Sequence, residues 1–356
     1  MLKRLELYWR KLWIRALSTL MRRPAVATPD WSSRPHRLLF LRHDRIGDMI
    51  VSTAAMRAIA ESHPGIELDV LASPANASVL EGASYVRKVI VFDRRDAWSY
   101  LGAARRLRGE RYDAVIDCMV TAPSVTTLLL MLATDASYRV GIAGRENDKA
   151  INVAVPSPEG DQLMAIRLGA LSAAFGIDPS TRNWRPELVV SPQRREAAAA
   201  RWRSMGTGTG QRVLVNVSAG APSRQWQIEK YAAVIAHIRK RLPEAIVLVT
   251  GAPHERDRIE SVAVASGATP AITPSLNDAF ALVATADFVL TPETSVVHVA
   301  SAFRRPAVAL YRQRESLRWG LHPESGENVE NSDSTLLTLE VPPVLAAIDR
   351  VLARRG

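Results

Sequence analysis

The feature that most constrains the fold is an alternation of short apolar runs with amphipathic segments, which occurs twice along the chain. The first series begins with the apolar run at residues 36–41, which predicts a buried strand, followed by a predicted helix at 48–62. The second series begins at residues 213–217, after a polar stretch that contains prolines. Apolar strands that alternate with helices form parallel sheets with crossover connections. The sequence therefore predicts an α/β fold of two Rossmann-like, doubly wound domains that face a cleft.

The chain length allows two domains with separate cores. At 356 residues, the chain exceeds the size at which a single core usually stops growing. We predict a leader helix with its linker at residues 1–30, an N-terminal domain at 31–190 and a C-terminal domain at 191–356. The hydrophobic content of 47% and the charged content of 23% are typical of globular proteins.

Cysteine and histidine usage argues against a disulfide framework and against a metal centre. Cys118 is the only cysteine, so no internal disulfide can form and a reducing compartment is expected. It lies in an apolar run, which favours a buried structural thiol over a nucleophile. The seven histidines are scattered, without cysteine or acidic partners at ligand spacing, so no metal site is predicted.

The net charge of +10 is concentrated at the N-terminus. Residues 1–37 contain nine basic and two acidic side chains, which leaves a net charge of only +3 for the rest of the chain. The rest of the chain also has no stripe of aromatic side chains on which bases could stack. We therefore expect no nucleic-acid partner.

Residues 1–23 show the periodicity of an amphipathic helix with one apolar and one basic face. Charged residues interrupt every apolar stretch, which excludes a signal peptide and a transmembrane helix. Tryptophans opposite a cationic face favour a helix that lies on an anionic membrane surface. The alternative is a helix that packs on the body with a solvated basic side. The predicted apolar face consists of Leu2, Leu5, Trp9, Leu12, Trp13, Ala16 and Leu20.

The first segment that suggests chemistry is 42–48, directly after the first predicted strand. Gly47 allows a tight turn into the following helix, and Asp48 then lies at the N-terminus of that helix. This carboxylate is either an ordinary helix cap, which is the commoner case, or a general base at the carboxyl edge of the sheet. Arg42 and Arg45 beside it suit anionic groups on an acceptor.

Two segments that follow strands of the second series suit a nucleotide. Small residues at 218–226 allow backbone N–H groups to approach a phosphate, and Arg224 adds a permanent positive charge. At 251–255, Glu255 lies where an acidic residue can bind ribose hydroxyls. The alternatives are an ordinary turn for the first segment and a first-turn helix acid for the second.

A fourth segment, at 291–298, leads from the end of a strand into a helix. Thr294 and Ser295 provide hydroxyls in the first turn, where backbone N–H groups without helical partners form an anion site. His298 follows one turn later. Judged by its local sequence alone, a histidine at such a place is more often structural and hydrogen-bonded than catalytic.

In this order, the four segments resemble glycosyltransferase family 9, the lipopolysaccharide heptosyltransferases. The family pattern has a Gly-Asp turn after the first strand, matched at 47–48, and a small-residue loop with a basic residue before tryptophan, matched at 218–226. It continues with Gly-x-x-x-Glu, matched at 251–255, and with Asp-(Ser/Thr)-Gly-x-x-His-x-Ala, matched at 293–300. The resemblance extends over about residues 38–310.

The resemblance implies a GT-B fold and an inverting, metal-independent glycosyltransferase without a cofactor. It implies that the N-terminal half binds an acidic lipopolysaccharide-core glycolipid at the cytoplasmic face of the membrane, and that the C-terminal half binds the donor, ADP-heptose. Asp48 is then the base that takes the proton from the acceptor hydroxyl. The implied nucleotide-sugar residues are Ser218, Ser223, Arg224, Glu255, Glu293, Thr294, Ser295 and His298. The implied acceptor residues are Arg42, Arg45, Arg57 and Arg139.

Two positions depart from the family pattern. Glu293 replaces the usual aspartate and is one methylene longer, and Ser295 replaces the usual glycine where backbone approaches the ligand. Both changes leave open a different nucleotide sugar as the donor. The other alternative is a non-catalytic nucleotide- or glycan-binding protein with the same fold.

Overall fold

The computed structural model describes residues 2–120, 123–205 and 210–354. The chain divides into two compact units, Met1–Trp184 and Arg185–Gly356. This division lies a few residues before the predicted domain boundary between 190 and 191. The predicted leader and linker at 1–30 belong to the first unit.

The first unit contains a six-stranded parallel sheet with helices on both faces. Its strands are β1 (His36–Arg42), β2 (Ile66–Ala72), β3 (Lys88–Val91), β4 (Ala114–Asp117), β5 (Tyr138–Ile142) and β6 (Val153–Val155). Its α-helices are α1 (Leu2–Leu20), α2 (Ile46–Ala60), α3 (Ala97–Glu110), α4 (Val125–Thr134) and α5 (Met164–Gly169). Short 3-10 helices lie at Ala77–Leu80, Asp148–Ala150, Ala170–Phe175 and Pro179–Thr181.

The second unit contains another six-stranded parallel sheet. Its strands are β7 (Arg212–Asn216), β8 (Ile246–Thr250), β9 (Thr269–Pro270), β10 (Phe288–Pro292), β11 (Ala307–Tyr311) and β12 (Gly326–Glu330). Its α-helices are α6 (Pro192–Met205), α7 (Ile228–Arg241), α8 (Arg256–Ser266), α9 (Leu276–Thr285), α10 (Ser295–Ala302), α11 (Ser316–Trp319) and α12 (Val341–Ala353). Short 3-10 helices lie at Pro222–Arg224, Pro253–Glu255 and Pro323–Ser325.

Both sheets have the same strand order. The first is β3-β2-β1-β4-β5-β6, and the second, taken from its other edge, is β9-β8-β7-β10-β11-β12. This is the order of a Rossmann domain, so the predicted doubly wound architecture of each half is confirmed. The order reverses between β1 and β4 and between β7 and β10. Ligands of such sheets bind beyond the carboxyl ends of the strands at these switch points.

The apolar run of the first strand reflects its burial on both faces. Leu38 and Phe40 point to one side of the sheet, Leu39 and Leu41 point to the other, and all four are completely buried. Leu39 and Leu41 share a core cluster with residues of α1, α3 and α4. These three helices therefore cover the same face of the first sheet. Burial on both faces explains why the run is continuously apolar and shows no alternation.

Helix α1 packs on the first unit, but its predicted apolar face is turned outward. Ile14 is only 3% exposed and reaches the core beneath α4. Ser18 accepts a hydrogen bond from the backbone N–H of Ala150 at 3.1 Å. Trp9 and Trp13, in contrast, are 58% and 61% exposed. The helix thus packs on the body, as the alternative interpretation predicts, and still leaves an aromatic stripe in contact with solvent.

Basic residues of α1 bind the body of the first unit. Arg10 donates to the backbone oxygen of Pro123 at 2.9 Å, and Lys11 pairs with Glu146 at 3.5 Å. Both side chains stay exposed, as a solvated basic side predicts, and they also have partners on the body that the helical pattern cannot show. The predicted side-chain positions of Leu2 and Leu5 lie outside the described residues. Within the described part of the chain, no helix is both long enough and apolar enough to cross a bilayer.

Candidate functional site

The turn after β1 is held by the buried side chain of Arg42, the last residue of that strand. Its Nε donates to the backbone oxygen of Asp48 at 3.0 Å and to Oγ of Ser52 at 2.8 Å. Its Nη1 donates to Oδ2 of Asp44 at 3.0 Å. The amide of Asn76 donates to the backbone oxygen of Arg42 at 3.1 Å. The guanidinium of Arg42 is therefore engaged in shaping the turn that bears Asp48.

Asp48 is the third residue of α2, at the β1/β4 switch point. Its carboxylate lies in the first turn of α2, where the backbone N–H of Arg45 lowers its pKa, and this position agrees with the helix-cap interpretation. Desolvation by burial raises the pKa of Asp48; Arg42 and Arg45 oppose this rise, and Asp44 adds to it. A carboxylate with a raised pKa accepts a proton more readily near neutral pH. The cap and the general base are thus compatible roles for one side chain.

A second carboxylate, Asp117, lies at the same switch point and was not singled out from the sequence. It is the last residue of β4 and is buried. Burial raises its pKa, while the N–H of Met119, the amide of Asn147 at 2.7 Å and the charge of Arg42 favour its ionised form. Its position at the end of a strand is visible in the sequence. The sequence pattern does not show that this strand neighbours β1.

Of the four predicted acceptor arginines, the structure brings Arg42 and Arg45 to the turn. Arg45 directly precedes α2 and is exposed. Arg57 lies nine residues after Asp48 on the same helix, which is about 13 Å along the helix axis. Its Nε lies 2.9 Å from a carboxylate oxygen of Glu61. Arg57 is therefore not part of the turn that carries Asp48.

Arg139 is not an acceptor residue beside Asp48. It is the second residue of β5, near the amino end of the strand, whereas Asp48 follows the carboxyl end of β1. Its buried Nη1 donates to the backbone oxygen of Met21 at 3.0 Å, just beyond α1. Desolvation lowers the pKa of Arg139 to about 10. The prediction is wrong because a basic residue in a strand does not reveal from the sequence which edge of the sheet it occupies.

In the second unit, Glu255 joins the loops that follow β7 and β8. Its carboxylate accepts from Oγ of Ser218 at 2.6 Å and from the backbone N–H of Ala219 at 2.9 Å. The backbone N–H of Ala252 donates to Oγ of Ser218 at 2.7 Å and to the same carboxylate at 3.2 Å. Glu255 therefore fixes the shape of both loops at the carboxyl edge of the sheet, where the sequence places a nucleotide.

Two arginines and two glutamates form a charged cluster at the β7/β10 switch point. Arg224, in the loop after β7, lies 2.9 Å from the buried carboxylate of Glu293, which follows β10. Arg312, directly after β11, lies 3.7 Å from the other oxygen of Glu293 and 2.9 Å from Glu315. Desolvation raises the pKa of Glu293, and Arg224 opposes this rise. Ser223 lies within 3.5 Å of Arg312.

Arg312 is a candidate functional residue that the sequence analysis missed. It brings a second permanent positive charge next to Arg224, within a cluster built from three different loops. Its signal in the sequence was its place directly after an apolar run, as Arg42 directly follows the apolar run at 36–41. That signal is weak without the strand order, which puts β11 next to β10.

The N-terminus of α10 is organised by polar side chains. The amide of Asn216, at the end of β7, donates to Oγ1 of Thr291 at 2.9 Å and to Oγ1 of Thr294 at 3.0 Å. Thr294 is the helix cap, and its Oγ1 accepts from the backbone N–H of Val296 at 3.3 Å. Ser295, the first residue of the helix, is half-buried, and its hydroxyl forms no hydrogen bond with the described residues. The backbone dipole of this end favours a negative group.

His298 lies in the second turn of α10 and is buried. Desolvation lowers its pKa to about 4, so the ring is neutral at neutral pH. Its ring centroid lies 6.1 Å from that of Trp319. His298 can therefore offer a neutral hydrogen-bonding group to a ligand, but it adds no positive charge to the arginine cluster. Throughout the described ranges, no three His, Cys, Asp or Glu side chains are grouped to hold a metal ion.

Solved structures define the class of fold. The crystal structure of the glycosyl transferase family 9 protein from Veillonella parvula is similar with a TM-score of 0.78 and 17% identity, over 91% of this chain and 99% of that chain. The structure of the Escherichia coli heptosyltransferase WaaC with ADP is similar with a TM-score of 0.71 and 18% identity, over 88% and 99%. The protein has the GT-B fold of a glycosyltransferase.

The sequence identifies the family. Residues 101–340 match glycosyltransferase family 9 (heptosyltransferase), which is more than half of the chain. The lipopolysaccharide core heptosyltransferase OpsX of Haemophilus influenzae is 22% identical over 298 residues, which cover 82% of this chain and 83% of that protein. The chain belongs to glycosyltransferase family 9. This membership confirms the resemblance and the enzyme class that the four segments predict.

Proposed function

We propose that this glycosyltransferase transfers heptose from ADP-heptose to an acidic glycolipid of the lipopolysaccharide core, with inversion and without a metal ion. The observation that carries the proposal is the pair of equivalent positions at the two switch points. The first holds a carboxylate whose pKa burial raises, and the second holds two arginines and a helix N-terminus. The relatives support the sugar and the acceptor class, since OpsX is a lipopolysaccharide core heptosyltransferase. The WaaC structure contains ADP, which supports an ADP-linked donor.

On the acceptor side, Asp48 is the base. Its carboxylate takes the proton from the acceptor hydroxyl as that oxygen forms a bond to the anomeric carbon of the donor. The bond from the anomeric carbon to the diphosphate breaks in the same displacement, so the anomeric centre inverts and ADP leaves. Because one displacement needs one base, a single carboxylate is sufficient. The exposed Arg45 beside it suits the anionic groups of the acceptor.

On the donor side, the charge of the leaving diphosphate is stabilised by fixed cations. Arg224 and Arg312 are held in place by Glu293 and Glu315, so their guanidinium groups are positioned before the ligand arrives. The N-terminus of α10 adds backbone N–H groups. Glu293 has one oxygen without a hydrogen-bond partner among the described residues, and we assign this oxygen to a hydroxyl of the ribose or the sugar.

The loops tied by Glu255 are proposed to carry the nucleoside. In this arrangement the carboxylate of Glu255 keeps Ser218 and the backbone of residue 252 in position and accepts a ribose hydroxyl with its remaining lone pairs. Neutral His298 contacts the diphosphate as a hydrogen-bond donor. No resident cofactor is required, because the donor carries its own activated leaving group.

We also propose that the enzyme works at the cytoplasmic face of the membrane and binds an anionic surface through residues 1–23. The support is the exposed aromatic stripe of α1, in which Trp9, Trp13 and Leu20 are all in contact with solvent. A stripe of this kind is typical of a helix at a lipid interface. The acceptor glycolipid provides the reason for the enzyme to lie there.

The reaction is tested with Asp48→Asn. The variant keeps the size of the side chain and removes the base, so we expect transfer to be about a hundredfold to ten-thousandfold slower. ADP release from ADP-heptose with a heptose-free core glycolipid is the assay. The shift in melting temperature on adding ADP should not change. Glu61→Gln, the same chemical change on the exposed far end of α2, is the matched control.

Each alternative has its own outcome. Transfer by Asp48→Asn at the wild-type rate removes Asp48 from the mechanism. A wild-type protein that binds ADP but transfers no sugar identifies the non-catalytic binding protein. A larger shift in melting temperature with UDP or GDP than with ADP identifies a different donor nucleotide.

A further inference from the structure

The outer face of α3 exposes two large apolar side chains on a positively charged helix. Trp98 is 80% exposed and Leu101 is 49% exposed. Arg105 and Arg108 follow at helical spacing on the same face and are also exposed. The opposite face of α3 packs into the core of the first unit. The outer face is therefore a solvent-facing stripe of tryptophan, leucine and arginine.

The arginines around this stripe have no partners within the part of the chain that the structure describes. Arg94 and Arg95, in the turn before α3, are exposed like Arg105 and Arg108. The side chains of these four form no hydrogen bond or ion pair with the described residues. The nearby Glu110 is, in contrast, paired with Arg87 and Lys88. The charges next to Trp98 are thus available to an external anion.

The nearby acids do not neutralise the stripe through direct pairs. Asp96 caps α3 and accepts from the backbone N–H of Trp98 at 2.9 Å. Asp93 accepts from the backbone N–H of Arg95 at 2.9 Å. Both carboxylates shape the start of the helix, and neither contacts an arginine side chain of the stripe.

A chain of aromatic contacts connects α3 to the turn of Asp48. The ring of Tyr100 lies 5.8 Å from that of Phe92, and Phe92 lies 5.6 Å from His43. His43 directly precedes the Asp44 that pairs with Arg42. The start of α3 is therefore beside the proposed acceptor site, at the same carboxyl edge of the first sheet.

Helices α1 and α3 belong to the same layer. Both pack on α4 and contribute to one core cluster on one face of the sheet. Their exposed apolar side chains, Trp9 and Trp13 on α1 and Trp98 and Leu101 on α3, lie on the outer side of that layer. The stripe on α3 thus lies on the same outer side of this layer as the side chains of α1 that we propose to face the membrane.

We infer that the outer face of α3 is a second lipid-binding surface of this protein, formed by Arg94, Arg95, Trp98, Leu101, Arg105 and Arg108. Trp98 and Leu101 insert into the interface of an anionic bilayer, and the arginines bind lipid phosphates. Exposed tryptophan on one helix face, together with arginines that have no partner in the described part of the chain, fits an anionic lipid surface, which attracts positive charge and accepts tryptophan at its interface. The part of this inference that concerns acceptor delivery rests on the proposed function: the surface holds the membrane next to Asp48, where a lipid-linked acceptor emerges.

Vesicle cosedimentation of the full chain tests the surface. The vesicles contain phosphatidylethanolamine with about a quarter phosphatidylglycerol, and the comparison vesicles are pure phosphatidylcholine. We expect the Trp98→Ser/Leu101→Ser variant to bind the anionic vesicles about tenfold to a hundredfold more weakly. Arg94→Gln/Arg95→Gln should weaken binding about fivefold per charge, and only on anionic vesicles. Val264→Ser, which changes a side chain that is 84% exposed on α8, should have no effect.

A local probe tests insertion without weakening the surface. Cys118 is buried and donates to the backbone oxygen of Leu41, and burial raises its pKa. A cysteine introduced by Leu101→Cys can therefore be labelled selectively with an environment-sensitive dye. We expect its emission to shift to the blue when the anionic vesicles are added. The dye on Val264→Cys should not respond.

The outcomes separate the surface from the enzyme. Unchanged vesicle binding by Trp98→Ser/Leu101→Ser together with no shift of the dye at position 101 overturns the inference. A change of the variant from dimer to monomer in sedimentation velocity, with unchanged vesicle binding, also overturns it and identifies a contact between copies. The variant should transfer sugar normally to a core oligosaccharide without acyl chains and poorly to the same acceptor in vesicles. If the wild type transfers nothing, the proposed function fails, and the vesicle measurements still decide the inference.

Discussion

At the scale of single residues, Asp48 combines two demands on one carboxylate. As an acid in the first turn of α2 it complements the backbone N–H groups of the helix N-terminus, and as the proposed base it accepts a proton from the acceptor. Partial burial raises its pKa, and Arg42 and Arg45 limit this rise. The opposing contributions therefore leave the pKa of Asp48 above its ordinary value, which makes the carboxylate a better base.

The pH dependence of the reaction depends on this balance. Since only ionised Asp48 can act as a base, kcat/KM should fall as the pH decreases through its raised pKa, above the ordinary aspartate range. Arg45→Gln removes a charge that lowers this pKa, so the acidic limb of the profile should move to higher pH. Arg57→Gln, at the other end of the same helix, should leave the limb in place. A limb that moves to lower pH in Arg45→Gln contradicts the electrostatic account.

Arg312 provides a test of the donor site that the sequence did not suggest. Arg312→Gln removes one of the two cations beside Glu293, so we expect ADP to bind about tenfold to a hundredfold more weakly. Isothermal titration with ADP measures the effect. Arg203→Gln, which changes an exposed arginine paired with Glu196 on α6, is the control. Equal affinity of Arg312→Gln and the wild type excludes Arg312 from the nucleotide site.

The candidate site could be predicted from the sequence where a residue directly follows a strand. Asp48, Arg224 and Glu293 were found in this way, because the ends of parallel strands converge at one edge of a sheet. Arg139 was misplaced, since no strand was predicted around it and its position near the amino end of β5 therefore could not be seen. Asp117 was missed because its proximity to Asp48 depends on the order of the strands.

At the scale of elements, the loops after β7 and β8 are joined by one side chain. Glu255 accepts from Ser218, Ala219 and Ala252, which belong to two different loops. Neither loop contains a regular backbone ladder that could fix it. The hydrogen bonds of this carboxylate therefore hold the two loops together at this edge of the sheet.

Removal of this carboxylate should loosen both loops. Glu255→Ala leaves several donors without their acceptor, and a loss of about 1–3 kcal/mol in the free energy of unfolding is expected. The melting temperature should fall and ADP should bind more weakly, with Glu255→Gln intermediate in both. Glu260→Ala is the matched control, because it removes an exposed carboxylate from α8, the helix that follows directly. Its melting temperature should match that of the wild type. If Glu255→Ala melts like the wild type, the loops are held by other contacts.

The attachment of α1 is a second feature at the scale of elements. Arg139 holds the backbone oxygen of Met21 from inside the unit, and Ser18 accepts from Ala150. These contacts fix the C-terminal part of the helix. The aromatic stripe remains on the outer side. One side of the helix is thus attached to the protein, and the side with Trp9 and Trp13 is exposed to solvent.

Arg139→Met tests whether Arg139 anchors the helix or binds the acceptor. Loss of the buried hydrogen bond should lower the melting temperature by several degrees and make α1 easier to cleave by trypsin. The KM for the acceptor should stay unchanged. Arg57→Met is the control for the loss of an arginine from the surface of the same unit. A raised KM with unchanged melting and cleavage supports the acceptor role that the sequence suggested.

At the scale of the whole molecule, the architecture of each half could be predicted and its strand order could not. Runs such as 36–41 and 213–217 indicate strands because side chains buried on both faces must all be apolar. The alternation with helices then indicates parallel pairing. The position of β4 beside β1 depends on contacts between distant segments, to which local periodicity is insensitive. The leader helix shows the same limit. Its apolar and basic faces could be predicted from the sequence, but the side on which it packs against the protein could not.

Both halves repeat one strand order, and each places its key polar residues after the first strand of that order. In one half that position contributes a carboxylate, Asp48; in the other it contributes a guanidinium, Arg224. The same strand order thus carries side chains of opposite charge after its first strand in the two halves. Because the charge lies in a turn and not in the sheet, either half can change the ligand that it binds through substitutions in one turn. The strands of its sheet need not change.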